Sequence, residues 1–159
     1  MIELFKYNHK SASYRLAIDL LDDLELSPNP EQAQREKPFI EDICKRVQKA
    51  GTVLYLLKHE EETLGFIALS ASSIDDFPSL QVDYLFVNNP YRGVELDFLD
   101  NTKTSNYLVE FAIEIATELQ ENVGLRYLVL LPDNDRLQAI YKEMGFNKLN
   151  RENWMFLKL

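Results

Sequence analysis

Cysteine, histidine and positive charge are all scarce in this sequence. One cysteine among 159 residues, Cys44, rules out an internal disulfide. It stands in the helical run Ile40–Val47, a setting for a buried, inert thiol rather than a nucleophile. His9 and His59 are the only histidines, which argues against a Cys/His zinc site, and no metal is expected. No apolar run approaches the ~18 residues of a membrane span, and the N-terminus lacks a signal-peptide pattern. A cytoplasmic chain without a membrane partner is therefore expected. Lysine and arginine number 17 against 26 aspartates and glutamates, a formal net charge of −9. That balance opposes wholesale binding to nucleic acid, which needs cations over the phosphates, and suits a cationic partner such as an amine.

What is present reads as one ordinary domain, expected over residues 1–159. A chain of this length buries roughly 70% of the surface its unfolded form exposes. Ile2–Tyr7 alternates apolar and polar residues and predicts a first strand. Ser11 or Ser13 is expected to open a helix carrying Leu16, Leu20 and Leu24, which Ser27-Pro28-Asn29-Pro30 stops. A second helix is expected from Glu31 to Ala50, with Pro38 a candidate break and Gly51 a C-cap. Val53–Leu57 and Leu64–Leu69 predict strands of a hairpin, followed by a loop with paired acids, Asp75 and Asp76. Those two acids read either as a solvated turn or as a rim that attracts an ammonium.

The stretch from Val82 to Ala116 organises the rest. Residues 82–87 are apolar or aromatic apart from Asp83, so one carboxylate is set among apolar neighbours in a largely buried strand. Burial would raise its pKa toward neutrality, as a general base requires, or it is a hydrogen-bonded structural group. Asn88-Asn89-Pro90 is turn chemistry, and Arg92-Gly93 sets a guanidinium beside a flexible backbone. A helix then begins near Thr104, with Leu108, Phe111, Ala112, Ile115 and Leu119 on one face and Glu110, Glu114 and Glu118 on the other. Strand, turn and helix N-terminus in this order favour an anionic group. Beyond Gly124, Tyr127–Leu131 reads as a fully buried strand. Asp133 or Asp135 is expected to cap the next helix, and strands over Phe146–Leu149 and Trp154–Leu159 close the chain.

Gly124-Leu-Arg-Tyr-Leu-Val-Leu-Leu, followed by Asn134, Tyr141 and Gly145-Phe146, resembles the second half of the GNAT superfamily of acyl-CoA-dependent N-acetyltransferases. Val87-Asn-Asn-Pro-Tyr-Arg-Gly93 is similar to that family's strand-to-pyrophosphate-loop junction, and Leu64-Gly-Phe-Ile67 to its preceding hairpin strand. The resemblance implies an α/β (α+β) GNAT fold, a mixed central sheet of about seven strands flanked by about four helices. It implies acetyl-CoA as cosubstrate and a primary amine of a small molecule or protein as acceptor, with a homodimer compatible. Tyr141 is then the candidate acid beside the thioester sulfur and Asp83 the candidate base. Backbone groups of Phe86 and Val87 would bind the pantetheine, and Asn134 would contact the cofactor arm or cap its helix. One departure stands out. The family's loop is usually Gln/Arg-x-x-Gly-x-Gly/Ala leading directly into the helix. Here Glu95 and Asp97 fill the glycine positions, and about ten extra residues, Val94 to Lys103, follow Arg92-Gly93. Arg92, Gly93, Lys103, Thr104, Ser105 and Asn106 are the expected phosphate-side contacts. Two other uses of the fold stay open: a non-catalytic acyl-CoA sensor, and a GNAT toxin acetylating aminoacyl-tRNA, against which the charge of −9 weighs.

Overall fold

The computed structural model describes residues 1–149 and 153–159. In chain order its elements are β1 (Ile2–Tyr7), α1 (Leu16–Asp23), α2 (Pro30–Gln48), β2 (Val53–His59), β3 (Glu62–Ile74) and β4 (Phe77–Val87). There follow β5 (Glu95–Leu96), β6 (Thr102–Lys103), α3 (Thr104–Asn122), β7 (Tyr127–Leu130), α4 (Asp135–Glu143), β8 (Asn147–Lys148) and β9 (Met155–Lys158). Seven strands form one mixed sheet in the order β1-β2-β3-β4-β7-β9-β8, and β5 pairs with β6 apart from it. The chain divides into two compact units, Met1–Leu69 with Asp83–Glu110, and Ser70–Val82 with Phe111–Leu159. β3, β4 and α3 each contribute residues to both.

In the first unit β1, β2 and the first half of β3 pair antiparallel. α1 and α2 bury Leu16, Leu20, Ile40, Ile43, Cys44 and Val47 against Leu54, Leu56, Phe66, Ala68 and Phe86. Each large apolar side chain so buried contributes roughly 1.5–3 kcal/mol. Phe66 stacks on Phe86 with ring centroids 5.6 Å apart, and Tyr84 meets Phe66 edge-on at 5.7 Å. The Cys44 thiol is buried here, and desolvation, with the nearby Glu41 charge second, pushes its pKa up to about 12. It is no nucleophile at neutral pH.

Three local expectations change. α1 starts at Leu16, and Ser13 accepts from the Arg15 N–H at 3.2 Å without capping the helix. Asn29 caps α2, accepting from Glu31 and Gln32, with Pro30 at the first turn. Pro38 does not break α2, because it lies on the exposed side and the carbonyl it leaves without a partner belongs to exposed Gln34. Gly51 is not the left-handed residue that ends α2. Ala50 is, at φ 61°, with Ala50 N–H bonded to Val47 O at 3.1 Å and Gly51 N–H to Arg46 O at 2.7 Å. This pair of bonds is the Schellman pattern with alanine where glycine is preferred. Ala50→Gly is expected to raise stability by about 0.5 kcal/mol, the left-handed cost of alanine less the added freedom of the unfolded glycine. Thermal unfolding of the variant checks it, and a lower Tm would contradict it.

In the second unit Ser79–Val82 of β4 pair parallel with Tyr127–Leu130 of β7, and β9 pairs antiparallel with β7 and β8. A parallel pair needs a long crossover, supplied by a helix, as the strand–helix–strand order predicts. Asp75 and Asp76, at φ 48° and 68°, form the two-residue turn between β3 and β4, which is the solvated-turn reading. In α3, Ala112 and Ala116 are fully buried, whereas Leu119 is 38% exposed and not a core residue. Glu114 and Glu118 face outward. Asn134, rather than Asp133 or Asp135, caps α4 by accepting from the Leu137 N–H at 2.9 Å.

Candidate functional site

Pairing of β4 with β7 stops at Val82, so Asp83–Val87 continue the strand beyond it. These residues belong to the first unit and are half-buried apart from Phe86. The Asn88 N–H turns to β3, donating to Leu64 O at 2.8 Å. β3 approaches so closely that a Cβ on Gly65 would lie 2.3 Å from the Phe86 carbonyl oxygen, so only glycine fits. Opposite β3, the Val87 carbonyl accepts from Arg92 Nε at 2.7 Å.

Asp83 has a fully buried side chain. Its Oδ2 accepts from the Thr52 hydroxyl at 2.6 Å and its Oδ1 lies 3.2 Å from Arg46. A buried carboxylate needs such partners. Neither was legible from the strand alone. Arg92, expected among phosphate contacts, is directed to the Val87 carbonyl and to Glu36, 3.0 Å away, with its guanidinium 5.0 Å from the Phe86 ring centroid.

The insertion after Gly93 folds as a hairpin. Glu95 pairs with Lys103 and Leu96 with Thr102, closed by a turn with Asp100 and Asn101 at φ 55° and 61°. Leu99 is buried, and Phe98 stacks on His59 with centroids 3.7 Å apart. Because Glu95 and Lys103 are strand partners, the chain leaves and re-enters this hairpin side by side. The extra residues therefore bring Thr104 back near Val94. Gly93 takes φ 71° at the entry. Thr104, the first residue of α3, has a hydroxyl that is fully buried and without a hydrogen-bond partner among the described residues. A buried, unsatisfied hydroxyl costs on the order of 1–3 kcal/mol, and here it stands at the N-terminus of a nineteen-residue helix, whose first N–H groups have no intrahelical acceptor. Lys103, Ser105 and Asn106 beside it are half-buried. This donor set fits a phosphate group.

In the second unit Asn134 caps α4 and Tyr141 lies within it. Tyr141 is 5% exposed, packs against Phe146 at 6.0 Å, and its carbonyl accepts from the Phe146 N–H at 3.1 Å. Gly145, at φ 103°, makes that reversal. Burial, with the Asp133 charge second, pushes the Tyr141 phenol well above its usual range. Its hydroxyl stays protonated at neutral pH and has no hydrogen-bond partner among the described residues.

No protein-family model and no curated protein matches the sequence. Solved structures do. A mutant of the toxin AtaT bound to the C-terminus of the antitoxin AtaR aligns with TM-score 0.75 and 18% identity, over 99% of this chain and 92% of that one. AtaT complexed with acetyl-methionyl-tRNAfMet aligns with TM-score 0.72 and 15% identity, over 99% and 95%. This chain has the GNAT fold. The KacTA–DNA complex aligns with it as well, at TM-score 0.70 and 17% identity over 99% and 93%.

A cavity of about 240 Å³ in the first unit is lined by residues that include Tyr7, Ser11, Asp19, Asp23 and Lys58. None of the GNAT-type residues lines it. Among the described residues no group of three or more His, Cys, Asp and Glu could hold a metal ion, and no helix is long and apolar enough to cross a membrane. Sequence reasoning missed Glu36, Arg46 and Thr52. Nothing distinguishes them from the other polar residues of their segments until the strands are placed.

Proposed function

We propose that this protein is an acetyl-CoA-dependent N-acetyltransferase that transfers the acetyl group to a primary amine. The observation that carries the reading is the GNAT fold, in which the β5–β6 hairpin leads directly into the N-terminus of α3. In this proposal Gly93, Lys103, Thr104, Ser105 and Asn106 hold the phosphates through backbone N–H groups and one ammonium. Backbone groups of Phe86 and Val87 hold the pantetheine arm, and Asn134 presents the start of α4 to it. Acetyl-CoA, when bound, supplies an activated thioester and a thiolate leaving group. Tyr141 keeps its proton at neutral pH and provides it to that sulfur. Asp83 remains the candidate base, and its contacts with Thr52 and Arg46 equally support an anchoring role. The excess of 26 acids over 17 bases supports a cationic acceptor, a small molecule or a protein amine, in a cytoplasmic setting. AtaT's complex with a charged tRNA supports an aminoacyl-tRNA acceptor, against which the net charge of −9 weighs. A non-catalytic acyl-CoA-binding module is favoured by one observation, Glu95 and Asp97 at the family's glycine positions.

At acetyl-CoA about a hundredfold above its dissociation constant, linkage is expected to stabilise the fold by roughly 2.7 kcal/mol. Thermal unfolding with and without the ligand, checked by calorimetric titration, reads it directly. No response at millimolar acetyl-CoA in either measurement would sink the proposal. Binding without turnover on a panel of amines would leave the acyl-CoA-binding module.

A further inference from the structure

We infer that Glu36 and Arg92 form a positioning pair that fixes the end of β4, so that Arg92 acts on an acyl-CoA through the Val87 carbonyl and not through its phosphates. The inference rests on the acyl-CoA reading above. Arg92 is engaged on three sides: Nε–H donates to Val87 O at 2.7 Å, a terminal nitrogen lies 3.0 Å from Glu36 Oε2, and the guanidinium covers the Phe86 ring at 5.0 Å. Glu36 is a buried carboxylate, its side chain 5% exposed. Its Oε1 accepts from the Ser27 N–H at 2.8 Å and its Oε2 from Gln32 Nε2 at 3.1 Å. To reach a phosphate, Arg92 would leave that carboxylate with its charge uncompensated, which is the costly way to break a buried pair.

The same turn is held at a second point. Asn88, itself buried, accepts from the Glu25 N–H and donates to Thr63 O at 3.0 Å, and the Asn89 N–H donates to Glu25 O at 3.0 Å. Residues 88–92 are thus tied to the segment from Glu25 to Glu36. The Val87 carbonyl, on the side of β4 away from β3, takes its orientation from this clamp. Guanidinium geometry matters here because one group serves a carbonyl and a carboxylate at once, which a lysine ammonium on a flexible stem does not reproduce.

The test compares acetyl-CoA with acetyl-pantetheine, which has the thioester and the arm but none of the nucleotide phosphates. Calorimetric Kd values are measured on the full chain for wild type, Arg92→Gln, Arg92→Lys, Glu36→Gln and the double variant Glu36→Gln/Arg92→Gln, with thermal unfolding beside them. The expected result is that Arg92→Gln weakens both thioesters by the same factor, about tenfold, the worth of one charge-assisted hydrogen bond. Glu36→Gln should act in the same direction, Arg92→Lys should not restore affinity, and the double variant should lose little more than the worse single one. A loss confined to acetyl-CoA, or rescue by lysine, would assign Arg92 to the phosphates and overturn the inference alone. Lower Tm with unchanged affinities would make the pair merely structural and also overturn it. A wild-type chain that binds neither thioester removes the acyl-CoA reading and the inference together.

Discussion

Tyr141→Phe is expected to lower kcat by about 10²–10⁴ while leaving the affinity for acetyl-CoA nearly unchanged, because it removes the proton donor and keeps the ring. The ring is what packs: Tyr141 is 5% exposed and lies 6.0 Å from Phe146. The hydroxyl has no hydrogen-bond partner among the described residues, so its deletion breaks no internal bond described here, and the fold should keep its Tm. Burial holds the phenol above its usual pKa, which gives the pH dependence its sign. The acid form is complete below pH 10, so wild-type turnover should show no loss from Tyr141 between pH 7 and 9. As pH rises beyond 10 the unfolded phenol ionises before the folded one, so stability, not only activity, should fall there. Steady-state kinetics with a productive amine decide the matter. Wild-type kcat in the Phe variant would take Tyr141 out of the chemistry, and a joint loss of affinity and Tm would mean a packing role.

Asp83→Asn carries the second large effect, on stability. The variant keeps the side-chain shape but removes the charge that Arg46 and Thr52 face at 3.2 and 2.6 Å. Stranding a fully buried cation costs about 3–5 kcal/mol, but Arg46 is 38% exposed and keeps part of its hydration, so about 2 kcal/mol is expected. For a chain of this size that lowers Tm by roughly 4–8 °C. The rate of the folded enzyme separates anchor from base. A modest change in kcat that is the same at pH 6.5 and 8.5 would assign Asp83 to anchoring through Thr52 and Arg46. A rate loss that deepens as pH falls, where little free amine exists without a base, would restore Asp83 to the chemistry.

The two substitutions show where sequence reasoning reached and where it stopped. Asp83 was conspicuous because an acid in an apolar strand needs an explanation, and that much is a property of six consecutive residues. Its explanation lies in Thr52, 31 positions earlier, and in a helix residue before that, which periodicity cannot reach. Arg92 was equally visible as a cation beside a glycine, yet its direction depends on a carboxylate that became buried only when α2 packed. The insertion from Val94 to Lys103 reads as a departure from the family's loop because spacing measures contour length. Folded as a hairpin with Asp100 and Asn101 in the left-handed region, it returns the chain to where it left.

By itself the sequence determined what is set within a few residues: the strands of β1, β2 and β7, the amphipathic courses of α2 and α3, and the absence of a disulfide. Side-chain period, turn chemistry and charge are local quantities. Tertiary structure alone decided which charges neutralise one another, that Leu119 stays outside the core, and that the Thr104 hydroxyl is buried without a partner among the described residues. Those outcomes depend on which groups lose water together. That is settled by packing between segments far apart in the chain.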